Sequence, residues 1–87
     1  MKSVFSDEYD IFRQCMIVAR KEAQLTQEVL ARYLKKPQSF VAKYESGERR
    51  LDVVEFVLII RAIGADPYSI IRKIEQAISE KSCEDKV

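Results

Sequence analysis

Residues 25–50 read "LTQEVLARYLKKPQSFVAKYESGERR", and the punctuation of this stretch decides the fold. Thr26 is a good N-cap, and Leu30, Ala31 and Leu34 after it share one side of a helical wheel. The small Ala31 lets another helix approach closely. Pro37 disfavours helix at Lys36 and suits the first turn of a new helix. That new helix is expected from about Gln38 to Glu45, stopping at Gly47, because glycine readily takes the left-handed conformation common after helices. Two short helices joined by so few residues must cross steeply. The spacing predicts a helix-turn-helix over about residues 26–46.

On the second helix, a wheel at about 100° per residue separates two faces. Phe40, Val41 and Tyr44 form a core face. Gln38, Ser39, Ala42 and Lys43 form the other. An amide can pair bidentately with adenine, a hydroxyl bonds several base edges, a methyl meets thymine, and an ammonium suits guanine or a phosphate. Exposed Gln, Ser and Lys are more often simply solvated. The combination favours DNA: a capped preceding helix, a tight junction and flanking basic residues. Gln27 starts the preceding helix, where backbone amides and the helix dipole attract a phosphate. Arg49 and Arg50 follow the second helix, and Lys35 and Lys36 precede it, all placed to hold the DNA backbone.

Outward from this centre, three more helices are expected. Residues 7–23 place Ile11, Phe12, Cys15, Met16, Ala19 and Ala23 at three-to-four spacing, with Ser6 as N-cap. Asp52 and Glu55 resemble a capping box at the start of a helix that ends at Gly64. Between them and Gly64 nearly every residue is apolar, so that helix needs cover on all sides. Asp66 and Pro67 open a last helix, with a stripe of Ile70, Ile71, Ile74, Ala77 and Ile78. Residues 1–80 read as a single domain, and residues 81–87 as a polar, frayed tail.

The chain has 87 residues, enough for one modest core. It has no histidine and only Cys15 and Cys83 as cysteines, so the commonest general base is missing and a four-ligand structural zinc site cannot form. Without a glycine-rich phosphate loop or a marked pair of acids, nothing distinguishes an enzyme site. No metal or other cofactor is expected. No apolar run reaches the roughly 18–20 residues of a membrane helix. The opening "MKSVFSDEYD" does not read as a secretory signal, which makes the cytoplasm the expected location. Residues 20–50 hold eight Lys or Arg against four Glu, so +4 there within a chain of net charge +1, and −3 over the rest. A local basic patch of that kind suits a polyanion.

Taken together, Arg20, "LTQEVLA" at 25–31, "PQSFVAKYESGERR" at 37–50, "LDVVEF" at 51–56 and "IIRAIGADP" at 59–67 resemble one known family. It is the XRE/Cro/C1-type helix-turn-helix repressors of bacteria and their phages, with the lambda-repressor-like domain. The resemblance covers about residues 12–67. It implies an all-α domain of five helices whose third helix reads the DNA major groove. By position, Gln38, Ser39 and Lys43 fall where the family contacts bases, and Gln27 where it contacts phosphate or an adjacent base. It also implies an ion pair between Arg20 and Glu45, for which the alternative is two unrelated surface charges.

Lys35 departs from the family, which usually has glycine where the turn begins. Either lysine adopts that turn at some cost, or the helix that starts after Thr26 ends differently. Val29 and Tyr33 lie off the core side of their helix, either packed on each other or forming a patch for a protein partner. The apolar fourth helix is either covered within a monomer or partly exposed and buried in a homodimer; the second reading is preferred here, with Ile59, Ile63 and the fifth helix as candidates. The expected function is a sequence-specific DNA-binding transcriptional regulator, a repressor, acting on double-stranded DNA. The competing expectation is a protein-interaction module of the same fold, such as an antitoxin or co-regulator.

Overall fold

The computed structural model describes residues 7–85, and side-chain surroundings through residue 80. Five helices follow one another: α1 Asp7–Glu22, α2 Gln27–Leu34, α3 Gln38–Ser46, α4 Val53–Ile63 and α5 Pro67–Asp85. The Ser6 cap lies outside the described residues. Helix α5 runs into the segment expected as a polar tail, continuing through Asp85.

Each boundary has a local chemical cause. Asp7, Glu8 and Asp10 lie in the first turn of α1, with Arg20 and Lys21 in its last turn, both favourable to the helix dipole. The Thr26 hydroxyl accepts from the Val29 backbone N–H at 3.1 Å and caps α2. Helix α2 ends with Lys35 in the left-handed region at φ 58° and ψ 42°. Lys36 N–H then returns to the Ala31 carbonyl at 3.0 Å, a Schellman-type closure. Lysine therefore takes the turn for which glycine is better suited. Gln24 does the same after α1, at φ 62°.

Pro37 sits at the N-cap of α3 in extended conformation, φ −68° and ψ 155°. At the other end of α3, Gly47 is left-handed at φ 88°. Helix α4 opens on a complete capping box: Glu55 N–H donates to Asp52 at 2.7 Å, and Asp52 N–H donates to the Glu55 carboxylate at 3.0 Å. The Asp66 carboxylate accepts from Tyr68 N–H at 3.1 Å and starts α5.

One core joins all five helices. Met16, Leu30, Val41, Tyr44, Ile59 and Ile60 are fully buried within it. Ala31 is buried too, in the tight α2–α3 corner. Phe12 bridges Tyr9 and Phe56 through ring contacts at 5.4 and 5.8 Å. The Tyr9 hydroxyl accepts from Leu51 N–H at 3.2 Å and pins the α3–α4 loop to α1.

The expected exposed face of α4 needs correction. Ile59 is only 1 % exposed, and Ile63 packs half-buried against the core. Ile59 is therefore closed to any self-association face, and Ile63 offers only part of its surface. Val53, Val54 and Leu58 are the side chains of α4 that stand out instead, at 75 %, 66 % and 56 % exposed. The requirement that this helix be covered on all sides also fails: Phe56, Ile59 and Ile60 are buried, while Val54, Leu58 and Arg61 lie exposed on the opposite face.

Candidate nucleic-acid interface

Helix α3 divides into two faces. Val41 and Tyr44 are buried and Phe40 is half-buried, with the Phe40 and Tyr44 rings meeting edge-on at 5.6 Å. Gln38, Ser39 and Lys43 are exposed, and Ala42 is half-buried beside them. Long polar side chains thus flank a small methyl on the open side of a short helix held firmly from behind.

A chain of polar contacts under this face fixes α3 to the scaffold. Arg20 donates from Nε to Glu45 Oε2 at 2.7 Å and from Nη2 to Glu45 Oε1 at 3.0 Å. Its Nη1 donates to the Leu25 carbonyl at 2.7 Å. Both residues of the pair are buried. Hydrogen bonding to Glu45 holds the Arg20 guanidinium above its ordinary pKa, against the opposing effect of burial. Arg13, which the sequence reading passed over, donates to the Glu45 backbone carbonyl at 2.7 Å and pairs with Asp10 at 3.1 Å. Its signal was available: Arg13 lies about two helical turns before Arg20, on the same face of α1.

The same carboxylate also anchors the exposed start of α3. Gln27 donates from Nε2 to Glu45 Oε1 at 2.9 Å, and Gln38 donates from Nε2 to Gln27 Oε1 at a longer 3.4 Å. A carboxylate can only accept, so Gln27 must turn its nitrogen inward and its oxygen towards Gln38. Gln38 in turn must offer nitrogen to Gln27. It keeps its own carbonyl oxygen and one N–H for an outside partner, the donor–acceptor pair that matches the major-groove edge of adenine.

The residues expected at the DNA backbone are placed unequally. Lys35 and Lys36 are exposed in the α2–α3 turn, with Lys36 Nζ 5.5 Å from the Phe40 ring centre. Gln27 heads α2, half-buried, its amide already engaged on both sides. Arg49 turns back onto the protein: its Nη1 and Nη2 meet the two Glu55 carboxylate oxygens at 3.1 and 2.7 Å, and its guanidinium lies 4.9 Å from the Phe40 ring centre. The Arg50 guanidinium lies 4.1 Å from the centre of the Tyr9 ring, directing it towards α1. Lys35 and Lys36 therefore flank the exposed face of α3 openly, whereas Arg49, its side chain 41 % exposed, holds an ion pair with Glu55.

Among the described residues, no group of three or more His, Cys, Asp or Glu could hold a metal ion, and no helix is long and apolar enough to cross a membrane.

The helix-turn-helix family profile matches residues 18–70, which span α2 to α4 and the adjoining parts of α1 and α5. The chain is similar to the solved structure of an XRE-family like protein from Pseudomonas syringae pv. tomato str. DC3000. The two share 46 % identity with a TM-score of 0.77, over 80 % of this chain and 85 % of that one. No curated protein matches the chain. A profile match across both helices of the bend, joined to a close structural likeness over most of the chain, establishes that the protein belongs to the XRE-type helix-turn-helix family of DNA-binding transcription regulators.

Proposed function

We propose that the protein is a repressor that lays α3 in the major groove and excludes other proteins from the site it occupies. Gln38 pairs with adenine through its free carbonyl and N–H. Ser39 and Ala42 meet neighbouring base edges, and Lys43 takes guanine or a phosphate. Lys35, Lys36 and the N-terminus of α2 at Gln27 hold the backbone on either side. The observation that carries this reading is the bonded sequence Arg20–Glu45–Gln27–Gln38, which orients an exposed amide from a buried ion pair.

In this reading two copies act together. Val53 and Ile71, 75 % and 49 % exposed, line one mostly apolar groove of about 460 Å³ between α1, α4 and α5. Packing this face against its copy would present two α3 helices about 34 Å apart, matching a palindromic site. Duplex DNA titrations test the function. Affinity is expected to fall steeply between 50 and 200 mM salt, by about 10³ or more if six phosphates are neutralised. Equal affinity at both salt concentrations would refute it.

A further inference from the structure

We propose that the groove between α2 and α4 is a docking site for an acidic segment of a partner protein, anchored by one large apolar side chain. The groove holds about 420 Å³ and is floored by Tyr33, Leu34, Phe40, Leu58 and Ala62. Tyr33 and Leu58 stand open on either side, at 58 % and 56 % exposed. Two large apolar side chains from different helices thus face solvent across one depression. An aromatic or leucine side chain inserted there would bury all three surfaces at once.

Charge identifies the occupant. Lys36 and Arg61 stand at the rim of the groove. Neither takes part in an ion pair among the described residues. The acid that lines the groove, Glu55, already has both carboxylate oxygens on Arg49. The uncompensated charge around the apolar floor is therefore positive. A DNA strand could satisfy the cations but would leave the floor unused. A peptide carrying Asp or Glu about one helical turn from a Leu, Phe or Trp satisfies both, in the manner of a helix laid in a groove.

The site borders the proposed DNA surface at Lys36 but is otherwise distinct from the two surfaces already described. Gln38, Ser39 and Lys43 do not line it, and it shares no lining residue with the groove of Val53 and Ile71. A protein engaged through either of those surfaces keeps Tyr33 and Leu58 open.

The test needs no DNA, so its outcome is independent of the repressor reading. A phage-displayed library of random 12-residue peptides is selected on the immobilised full chain. Recovered peptides are then synthesised and titrated by fluorescence anisotropy into wild type, Leu58→Ser, Arg61→Glu and Val53→Glu. The expected peptides combine Leu, Phe or Trp with Asp or Glu three or four residues away. Their affinity should drop at least about tenfold, roughly 1.4 kcal/mol, in Leu58→Ser and Arg61→Glu, and be unchanged in Val53→Glu. Replacing the peptide acid with Lys should restore binding to Arg61→Glu. Since Leu58 and Arg61 are exposed, melting curves of these variants should match wild type and exclude unfolding as the cause. The proposal is overturned by a selection without enrichment, by enriched peptides lacking acids, or by binding that survives both substitutions. It is equally overturned if Leu58→Ser turns a dimer into a monomer in sedimentation, since the occupant is then a second copy of the chain.

Discussion

Arg20 closes a two-point ion pair onto Glu45, 2.7 and 3.0 Å across, joining α1 to the end of α3 in the interior. Removing the guanidinium strands a buried carboxylate, with the Gln27 amide as its remaining side-chain donor. Arg20→Ala should therefore cost about 3–5 kcal/mol. In a domain of this size, that lowers Tm by more than about 10 °C. Arg20→Lys, which keeps the charge but loses the fork, should fall in between. Thermal unfolding followed by circular dichroism decides it, and an unchanged Tm in Arg20→Ala would remove the pair from the account.

Lys35 gives a prediction with two signs. It holds a left-handed conformation at φ 58°, which costs a non-glycine residue about 1–2 kcal/mol. Lys35→Gly removes that cost but adds freedom to the unfolded chain, leaving a net gain of about 1 kcal/mol or less. The same change deletes an exposed cation beside α3, so DNA affinity should fall and its salt slope flatten by about one phosphate. Denaturant melts and salt-dependent titrations on one variant check both halves.

The Tyr44 hydroxyl is buried and makes no hydrogen bond among the described residues. Tyr44→Phe should leave stability at neutral pH unchanged or raise it, by up to about 1–3 kcal/mol. Burial, then the nearby Glu45 charge, push the hydroxyl pKa up from its ordinary value. A pKa raised in the folded state contributes stability that is full below the unfolded value, about 10, and is lost as pH rises above it. Wild type should thus lose more stability between pH 9 and 11 than Tyr44→Phe. Equal losses in paired alkaline melts would contradict this.

Glu55 provides the acid counterpart. The Arg49 guanidinium, and after it the Asp52 backbone N–H, lower the Glu55 pKa. A depressed folded-state pKa gives stability that is full above the unfolded value, about 4.3, and is lost as pH falls through the lowered one. The pair is partly exposed, so the effect is of the order of an ordinary surface ion pair, about 0.2–1 kcal/mol. Glu55→Gln should lower stability at pH 7 and flatten its fall on acidification, as read from melts at pH 3–7.

How much of this could be read from the chain depends on how local each cause is. Pro37, Gly47, Asp52 and Glu55 act on their own backbone neighbourhood, and the helix boundaries near them follow directly from residue type. Gln24 and Lys35 violate the local preference for glycine in a left-handed turn, and only the surrounding fold makes those turns necessary. The two faces of α3 were legible because polar and apolar residues alternate with helical period. On α4 the wheel carries no contrast, since Val53, Leu58 and Ile59 are all apolar. Whether each is open or buried depends on which face of α4 the other helices pack against. The Arg49–Glu55 pair was not legible either, because it spans the loop between α3 and α4, whose path residue type alone does not set. Sequence position also did not anticipate the link from Gln38 through Gln27 to Glu45. It requires the start of α2 to lie alongside α3, so that Gln27 can reach both Gln38 and Glu45.

The central claim is that the open face of α3 selects DNA sequence. Selection of bound duplexes from a random pool, run in parallel with wild type and Gln38→Ala/Lys43→Ala, tests it most directly. Wild type is expected to enrich a palindrome with an adenine in each half-site, lost or relaxed at that position in the double variant. An unenriched pool with wild type, or the same palindrome recovered by both proteins, would contradict it.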